Sequence, residues 1–268
     1  MMRLFGRGLA VVVLFALLTP FAYTVWMSFA PGEVLDPPRG EWSLRWYREF
    51  LGSPKWTDAL ATTAVVAVFS VLGSLGGGLG LAVAVTRFHF HGRTLLAGAV
   101  LLPLFVPAVV LGMGLLPLVA LTGLRGTVAA LTAAHSLVSL PVVFLLLRSA
   151  LAQTDPDLER AARGLGAGPW GVFRRVTLPL IAPAVLAGVV IALVLSVNEF
   201  TLSLFLGTPR VRTVPAALWP EARDRETPLL AAASCLTVLV TLLGMWLVAR
   251  LLGPGRGAAT GVPAGYRP

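Results

Sequence analysis

The sequence contains one cysteine, one lysine and three histidines in 268 residues, and only 12% of it is charged. Each shortage removes a class of function. A solitary Cys235 forms no internal disulfide and supplies no cysteine-based metal site. The only lysine, Lys55, follows Pro54, so no Gly-Lys pair exists. A P-loop needs that pair to hold phosphates, and the glycine-rich run from Gly73 to Gly80 therefore reads as a helix-packing face instead. His89, His91 and His135 do not gather with carboxylates as the site of a membrane-embedded enzyme requires. No cofactor, metal or catalytic residue is assigned to this chain. Strand-type alternation is absent as well, which favours helices over a barrel.

What the chain has in quantity is apolar length. Hydrophobic residues make up 57% of it, outside the range of soluble domains. Six charge-free runs reach the length of about 20 residues that a bilayer-crossing helix needs: Gly8 to Pro31, Ala59 to Thr86, Thr94 to Leu124, Gly126 to Leu147, Val176 to Asn198 and Thr227 to Ala249. The expected fold is all-α, a polytopic membrane bundle with spans at about 9–29, 59–85, 94–121, 127–147, 178–197 and 228–249. Residues 1–252 read as one membrane domain, and the Gly-, Pro- and Ala-rich 253–268 as a flexible cytoplasmic tail. The first apolar run is long for a signal peptide and lacks a clean small-x-small cleavage site, so it is read as retained.

A net charge of +9 would raise nucleic acid as a partner for a soluble protein. Here the charge sits in the loops, and nucleic acid is set aside in favour of membrane lipid. With the N-terminus inside, the cytoplasmic pieces hold 12 of the 21 basic residues, a small bias that leaves orientation open. The short link bearing Arg87 and Arg93 favours both termini in the cytoplasm.

Local signals add detail. Tyr23 and Trp26 are placed as interface anchors at the end of the first span. Residues 31–58, with Trp42, Trp46, Tyr47 and Trp56 among charges, read as an amphipathic helix on the membrane surface, either a connector or a contact for an external protein. The third span carries Pro103, Pro107, Gly112, Gly114 and Pro117, too many breakers for a straight helix, and points to a pathway wall. His135 reads as a packing residue without a role. Asn198 and Glu199 end the fifth span, and an ionisable group in such a setting is a pathway candidate beside Pro107. Counting Leu178 to Leu206 as one helix gives roughly 43 Å, which leaves Glu199 either on the path or at the outer edge. Glu221, Asp224 and Glu226 with Arg223 and Arg225 read as a solvated charged turn.

One segment stands apart. Asp155 to Pro183, DPDLERAARGLGAGPWGVFRRVTLPLIAP, is charged and rich in Gly and Pro between two apolar spans. Asp155 is a helix N-cap, Pro156 a first position, and Asp157 and Glu159 suit the positive end of the dipole. Leu158, Ala161, Ala162 and Leu165 fall on one narrow apolar face, and Gly166, Ala167 and Gly168 stop the helix. Pro169 and Trp170 start a short turn expected to end before Leu178-Pro179.

Ala161-Ala162, three residues, Gly166, nine residues and Val176-Thr177-Leu178-Pro179 resemble the EAA loop, E-A-A-x3-G-x9-I-x-L-P, of the permeases of binding-protein-dependent ABC importers. The first motif position is Arg160, with the acid displaced to Glu159. The spans around it are most similar to the spermidine/putrescine type, whose relatives also serve ferric iron and phosphonates. The resemblance implies a bacterial inner-membrane permease subunit that uses Glu159, Arg160, Ala161, Ala162, Gly166, Leu178 and Pro179 to engage a separate ATPase subunit. It further implies ATP bound by that partner, a second permease subunit, identical or a sister chain, and an extracytoplasmic solute-binding protein. A secondary transporter, the alternative of another class, would carry several intramembrane charges and a repeat; this chain offers Glu199 alone.

Overall fold

The computed structural model describes residues 2–34, 36–38, 40–224 and 227–252, so the expected tail at 253–268 and residues 225 and 226 of the expected charged turn lie outside the described residues. The described chain is helical: α1 Met2–Met27, α2 Arg45–Gly52, α3 Pro54–Arg87, α4 Arg93–Phe105, α5 Ala108–Leu121, α6 Val128–Gln153, α7 Pro156–Gly164, α8 Pro169–Val172, a π-helical turn Phe173–Thr177, α9 Leu178–Asn198, α10 Thr201–Leu206, α11 Val214–Asp224 and α12 Leu229–Leu252.

The centre is a close pair, α3 on α6. The two run parallel, since Gly73 lies against Ser136, Gly77 against Leu140 and Gly78 against Val143 and Phe144. A Cβ at Gly78 would stand 3.0 Å from Val143 Cγ1 and 3.2 Å from the Phe144 backbone nitrogen. Glycine is what lets these backbones approach, because in lipid it is packing that holds helices together. Gly78→Ala is expected to cost about 1–2 kcal/mol, read as a lower melting temperature of the purified protein; Gly80→Ala, with nothing within 4 Å of its Cβ, is the silent control.

α9 packs on this pair in the opposite direction. Its Ile181 joins Leu147 and Leu151 at one end, and its Ser196 meets His135 at the other. α4 and α5 form a pair bent by 107° at Val106-Pro107. Val106 is extended (ψ 125°), as the residue before proline must be. Neither half is long enough to cross alone. Ala97 of α4 belongs to the cluster of Val85, Leu147 and Leu151, whereas Val119 of α5 belongs to that of Ala130, Leu131, Leu202 and Leu206. The bent pair therefore joins the two ends of the bundle and makes one crossing. α12 places Gly244 against Leu193 of α9, and the end of α1, at Tyr23, Thr24 and Met27, lies beside Leu230, Ala231 and Ser234 at the start of α12. Directions thus alternate through six crossings, and α1 starts on the face where α12 ends.

Several helices overrun the expected spans: α3 begins five residues before 59 and α6 runs to Gln153, since Ser53 and Thr127 start them and only Phe88 and Thr154 stop them. On the opposite face the short helix expected within 31–58 forms as α2, and its aromatic side packs on protein. Trp46, Phe50 and Trp56 are buried with Val214, Ala217, Leu229, Ala232 and Ala233, Phe50 stacks on Trp56 at 5.3 Å, and the Trp46 indole donates to the Ala30 carbonyl at 2.9 Å. These aromatics tie the segment to α11 and α12. One expectation there is corrected: as far as Asp224, the acidic run after 219 is not a turn. It continues α11 to Asp224, where Glu221 accepts from Lys55 Nζ at 2.5 Å, a charge pair that fixes α11 to the start of α3.

Candidate functional site

The segment 155–179 lies on the face where α1 starts and α12 ends, beside the end of α3. Asp155 Oδ1 accepts from the Asp157 amide at 2.9 Å, and Pro156 occupies the first helical position. Gly166 has φ +86°, and the amides of Gly166 and Ala167 bond to the carbonyls of Arg163 and Ala162, the Schellman end that a left-handed residue permits. The apolar face is turned to solvent: Leu165 is 90% exposed and Leu158 48%. Trp170, stacked on Phe173 at 5.5 Å, is exposed alongside. An uncovered apolar stripe of this kind marks an interaction surface.

Glu159 is the opposite case. At 7% exposure it faces inward, and its Oε1 accepts from Arg87 Nε at 3.1 Å and from Thr177 Oγ1 at 3.0 Å. Arg87 also donates through Nη2 to Thr154 Oγ1 at 2.5 Å, and Arg163 stands 3.8 Å from Glu159 Oε2. One carboxylate thus ties the end of α3, the start of α7 and the π turn together. Arg160, at the motif's acidic position, is exposed and pairs with Asp157 one turn back. In the sequence Arg87 stood out only as a loop charge, Thr177 only within the motif string and Thr154 not at all, since Arg87 lies 72 residues from Glu159 and no local pattern joins them.

The helix expected to end before Leu178-Pro179 instead continues unbroken from Pro169 to Asn198. The Leu178 amide bonds to the Phe173 carbonyl, five residues back. This wide turn accepts Pro179, which lacks an amide and would crowd the carbonyl of a regular helix. Residues 169–179 are therefore built into the base of α9 without a break, and α7 joins them through Gly166–Gly168 and the Glu159 contact to Thr177.

At the far end of α9 the chain does break. Glu199 leaves the helix with ψ 105°, so Leu178 to Leu206 is not one rod of the length expected. Glu199 Oε1 accepts from the Leu202 amide at 2.9 Å and caps α10, which accounts for an acid at that position. Asn198 is exposed and its Nδ2 donates to the Val194 carbonyl of its own helix. Pro107 sits at the α4–α5 bend, also exposed. Phe205 of α10 seats against Gly112 of α5, where a Cβ would come within 2.9 Å of the ring. α10 is thereby held to the half of the bent pair that begins at Pro107. Among the described residues no group of three His, Cys, Asp or Glu could hold a metal ion.

The chain is 33% identical to the Haemophilus influenzae "Molybdenum transport system permease protein ModB" over 224 residues, 74% of this chain and 97% of that protein. It is 30% identical to the Escherichia coli K12 "Putrescine transport system permease protein PotI" over 245 residues, 87% of each. A crystal structure of a bacterial ABC transporter that imports alginate superimposes with TM-score 0.73 at 17% identity, covering 94% of this chain and 95% of the other, and shares the fold. Residues 76–253 match the family described as "Binding-protein-dependent transport system inner membrane component". With two-thirds of its length matched, from the middle of α3 to the end of α12, the chain belongs to that family.

Proposed function

We propose that this chain is the permease subunit of an ATP-driven ABC importer, forming part of the solute path and seated through residues 155–179 on a separate ATPase subunit. As a family member it is a multi-pass inner-membrane protein, and both described ends face the cytoplasm in this reading. ATP binds and is hydrolysed on the partner; no residue of this chain performs chemistry. A second permease subunit completes the path, and an external binding protein delivers the solute. The observation that carries the reading is the exposed apolar stripe of Leu158, Ala161 and Leu165 on α7, which Glu159 ties through Thr177 to the base of the helix running on into α9. Closure of the ATPase pair would move α7, and the unbroken helix from Pro169 to Asn198 would carry that motion across the membrane, as packed elements switch between discrete arrangements.

The proposed solute is polyamine-like. The polyamine permease relatives support it, as does a partly exposed carboxylate, Glu199, near the outer end of α9. A second reading, an oxyanion such as molybdate, draws on the ModB relative and on the outer loops. Gly126 packs on Thr208, which brings the loop holding Arg125 beside that holding Arg210 and Arg212. None of the three forms an ion pair among the described residues.

Reconstitution with the ATPase, the second permease and the binding protein tests the function: ATP-dependent uptake into vesicles is expected, and uptake without ATP would sink it. Binding of putrescine against molybdate by the cognate binding protein decides between the solutes. Glu199→Gln keeps an acceptor for the Leu202 amide and removes the charge. Assembly is expected to survive, and uptake of a cationic solute to fall about tenfold through loss of one charge contact. Unchanged uptake would leave Glu199 as a cap only.

A further inference from the structure

His135 is among the largest fully buried side chains, 1% exposed, toward the end of the bundle opposite residues 155–179. Its ring sits on α6, yet both ring nitrogens bond to a different chain segment. Nδ1 shares a hydrogen bond of 3.0 Å with Ser196 Oγ, before the break in the fifth span, and Nε2 one of 2.9 Å with Ser203 Oγ, after it. Ser139 adds a hydrogen bond to the His135 carbonyl at 2.9 Å. A neutral imidazole has one donor and one acceptor, and a hydroxyl can serve as either, so each tautomer satisfies the set.

The backbone alone holds the break weakly. Between α9 and α10 the backbone offers the bond from the Glu199 amide to the Ser196 carbonyl and the Glu199 cap on Leu202. Both lie inside the turn itself and do not fix the angle between the helices. Beyond the break, α10 is committed to α5 through Phe205 on Gly112, and the following loop to Gly126 through Thr208. Displacement of α9 reaches this outer assembly through Asn198–Phe200, through the His135 bridge and through the packing of Leu202 and Leu206 on Leu131 and Ala134 of α6; the His135 bridge is the one side chain hydrogen-bonded to both sides of the break.

We propose that His135 is a positioning residue for transport: its imidazole, held by Ser196 and Ser203, makes α9 and α10 move as one unit across the break. Displacement of α9 from the docking face is thereby passed to α10 and α5 at the outer end of the path. The proposal rests on the importer reading and adds to it where the transmitted motion goes. Two ring nitrogens aimed at opposite sides of a break suit this task, because a buried, fully satisfied polar network specifies one geometry where apolar packing allows several.

The test uses the complete importer in vesicles, with ATP hydrolysis and solute uptake measured together. His135→Leu fills the volume without hydrogen bonds. It is expected to leave the complex assembled and its basal hydrolysis intact, and to lower solute moved per ATP about tenfold, the scale of losing both hydrogen bonds. His135→Gln, which can reach one or both serines, is expected to recover part of that ratio. Ser196→Ala with Ser203→Ala in one chain is expected to match His135→Leu, and adding His135→Leu to that pair to cost nothing further. A transport ratio for His135→Leu equal to wild type overturns the proposal, as does a loss of uptake that merely follows loss of assembled complex. Absence of ATP-dependent uptake in the wild-type complex would instead remove the importer reading itself.

Discussion

Gly166→Trp is expected to abolish stimulation of the partner's ATP hydrolysis while leaving the chain inserted and folded. Two effects combine at this position and can be separated. With φ +86°, any side chain strains the left-handed turn by about 1–2 kcal/mol. That strain falls on a surface loop end, where it loosens the last turn of α7 without reaching the bundle. Gly166→Ala therefore reports the strain alone and is expected to retain most activity. Among the described residues, nothing beyond its chain neighbours lies within 4 Å of a Cβ there, so a side chain starts into open space and the added bulk of Trp is directed at whatever docks outside. Normal binding-protein-stimulated hydrolysis in the purified Gly166→Trp complex would show that nothing seats on this end of α7. Equal losses for Ala and Trp would make the turn geometry, and not the docked surface, the cause.

Arg87→Ala is expected to lower uptake about a hundredfold. Glu159 is turned inward, and Arg87 is its close cationic partner at 3.1 Å, with Arg163 at 3.8 Å and largely exposed. Removing the guanidinium leaves a buried carboxylate with Thr177 and a distant Arg163, at a cost of about 3 kcal/mol. It also frees Thr154 at the end of α6. α7 would then hang from its backbone connections instead of being clamped to α3, and motion imposed on it would be lost before reaching the spans. Hydrolysis is expected to persist while uptake falls, so the reading is the ratio of the two. Glu159→Ala should be similarly impaired, and the double change no worse than either, since both remove one clamp. Losses that simply multiply would mean that the two residues act independently.

These two sites differ in how far the sequence reveals them. Gly166 is legible from its neighbours: an N-cap at Asp155, a proline after it, two turns of helix and then glycine amount to local stereochemistry, and the structure forms that helix. Glu159 was marked as an acid suited to the helix dipole and, one place off the motif, as a contact for the ATPase. Its inward orientation depends on Arg87 and Thr177 arriving from elsewhere. The same division separates Pro179 from its surroundings. The proline suggested an ending, but a π turn let the helix run on, because the amide of Leu178 found the carbonyl of Phe173. Leu178 to Leu206 misled in the other direction: an apolar run of that length looks continuous, and the break at Glu199 is held by a cap and by His135 on another helix.

The sequence by itself determined that this protein lives in a bilayer, crosses it with helices, breaks its third crossing and carries a capped, glycine-ended helix between the fourth and fifth. Those features follow from apolar length, backbone sterics and capping, which act over a few residues. Only the tertiary structure decided that the third crossing bends at Pro107 rather than Pro103 or Pro117, that α3 and α6 pack at glycine distance, that Trp46, Phe50 and Trp56 are buried against α11 and α12, that Glu159 clamps α7, and that His135 spans a break in α9–α10. Each of the last four joins side chains tens of residues apart, and their meeting is fixed by how whole helices pack.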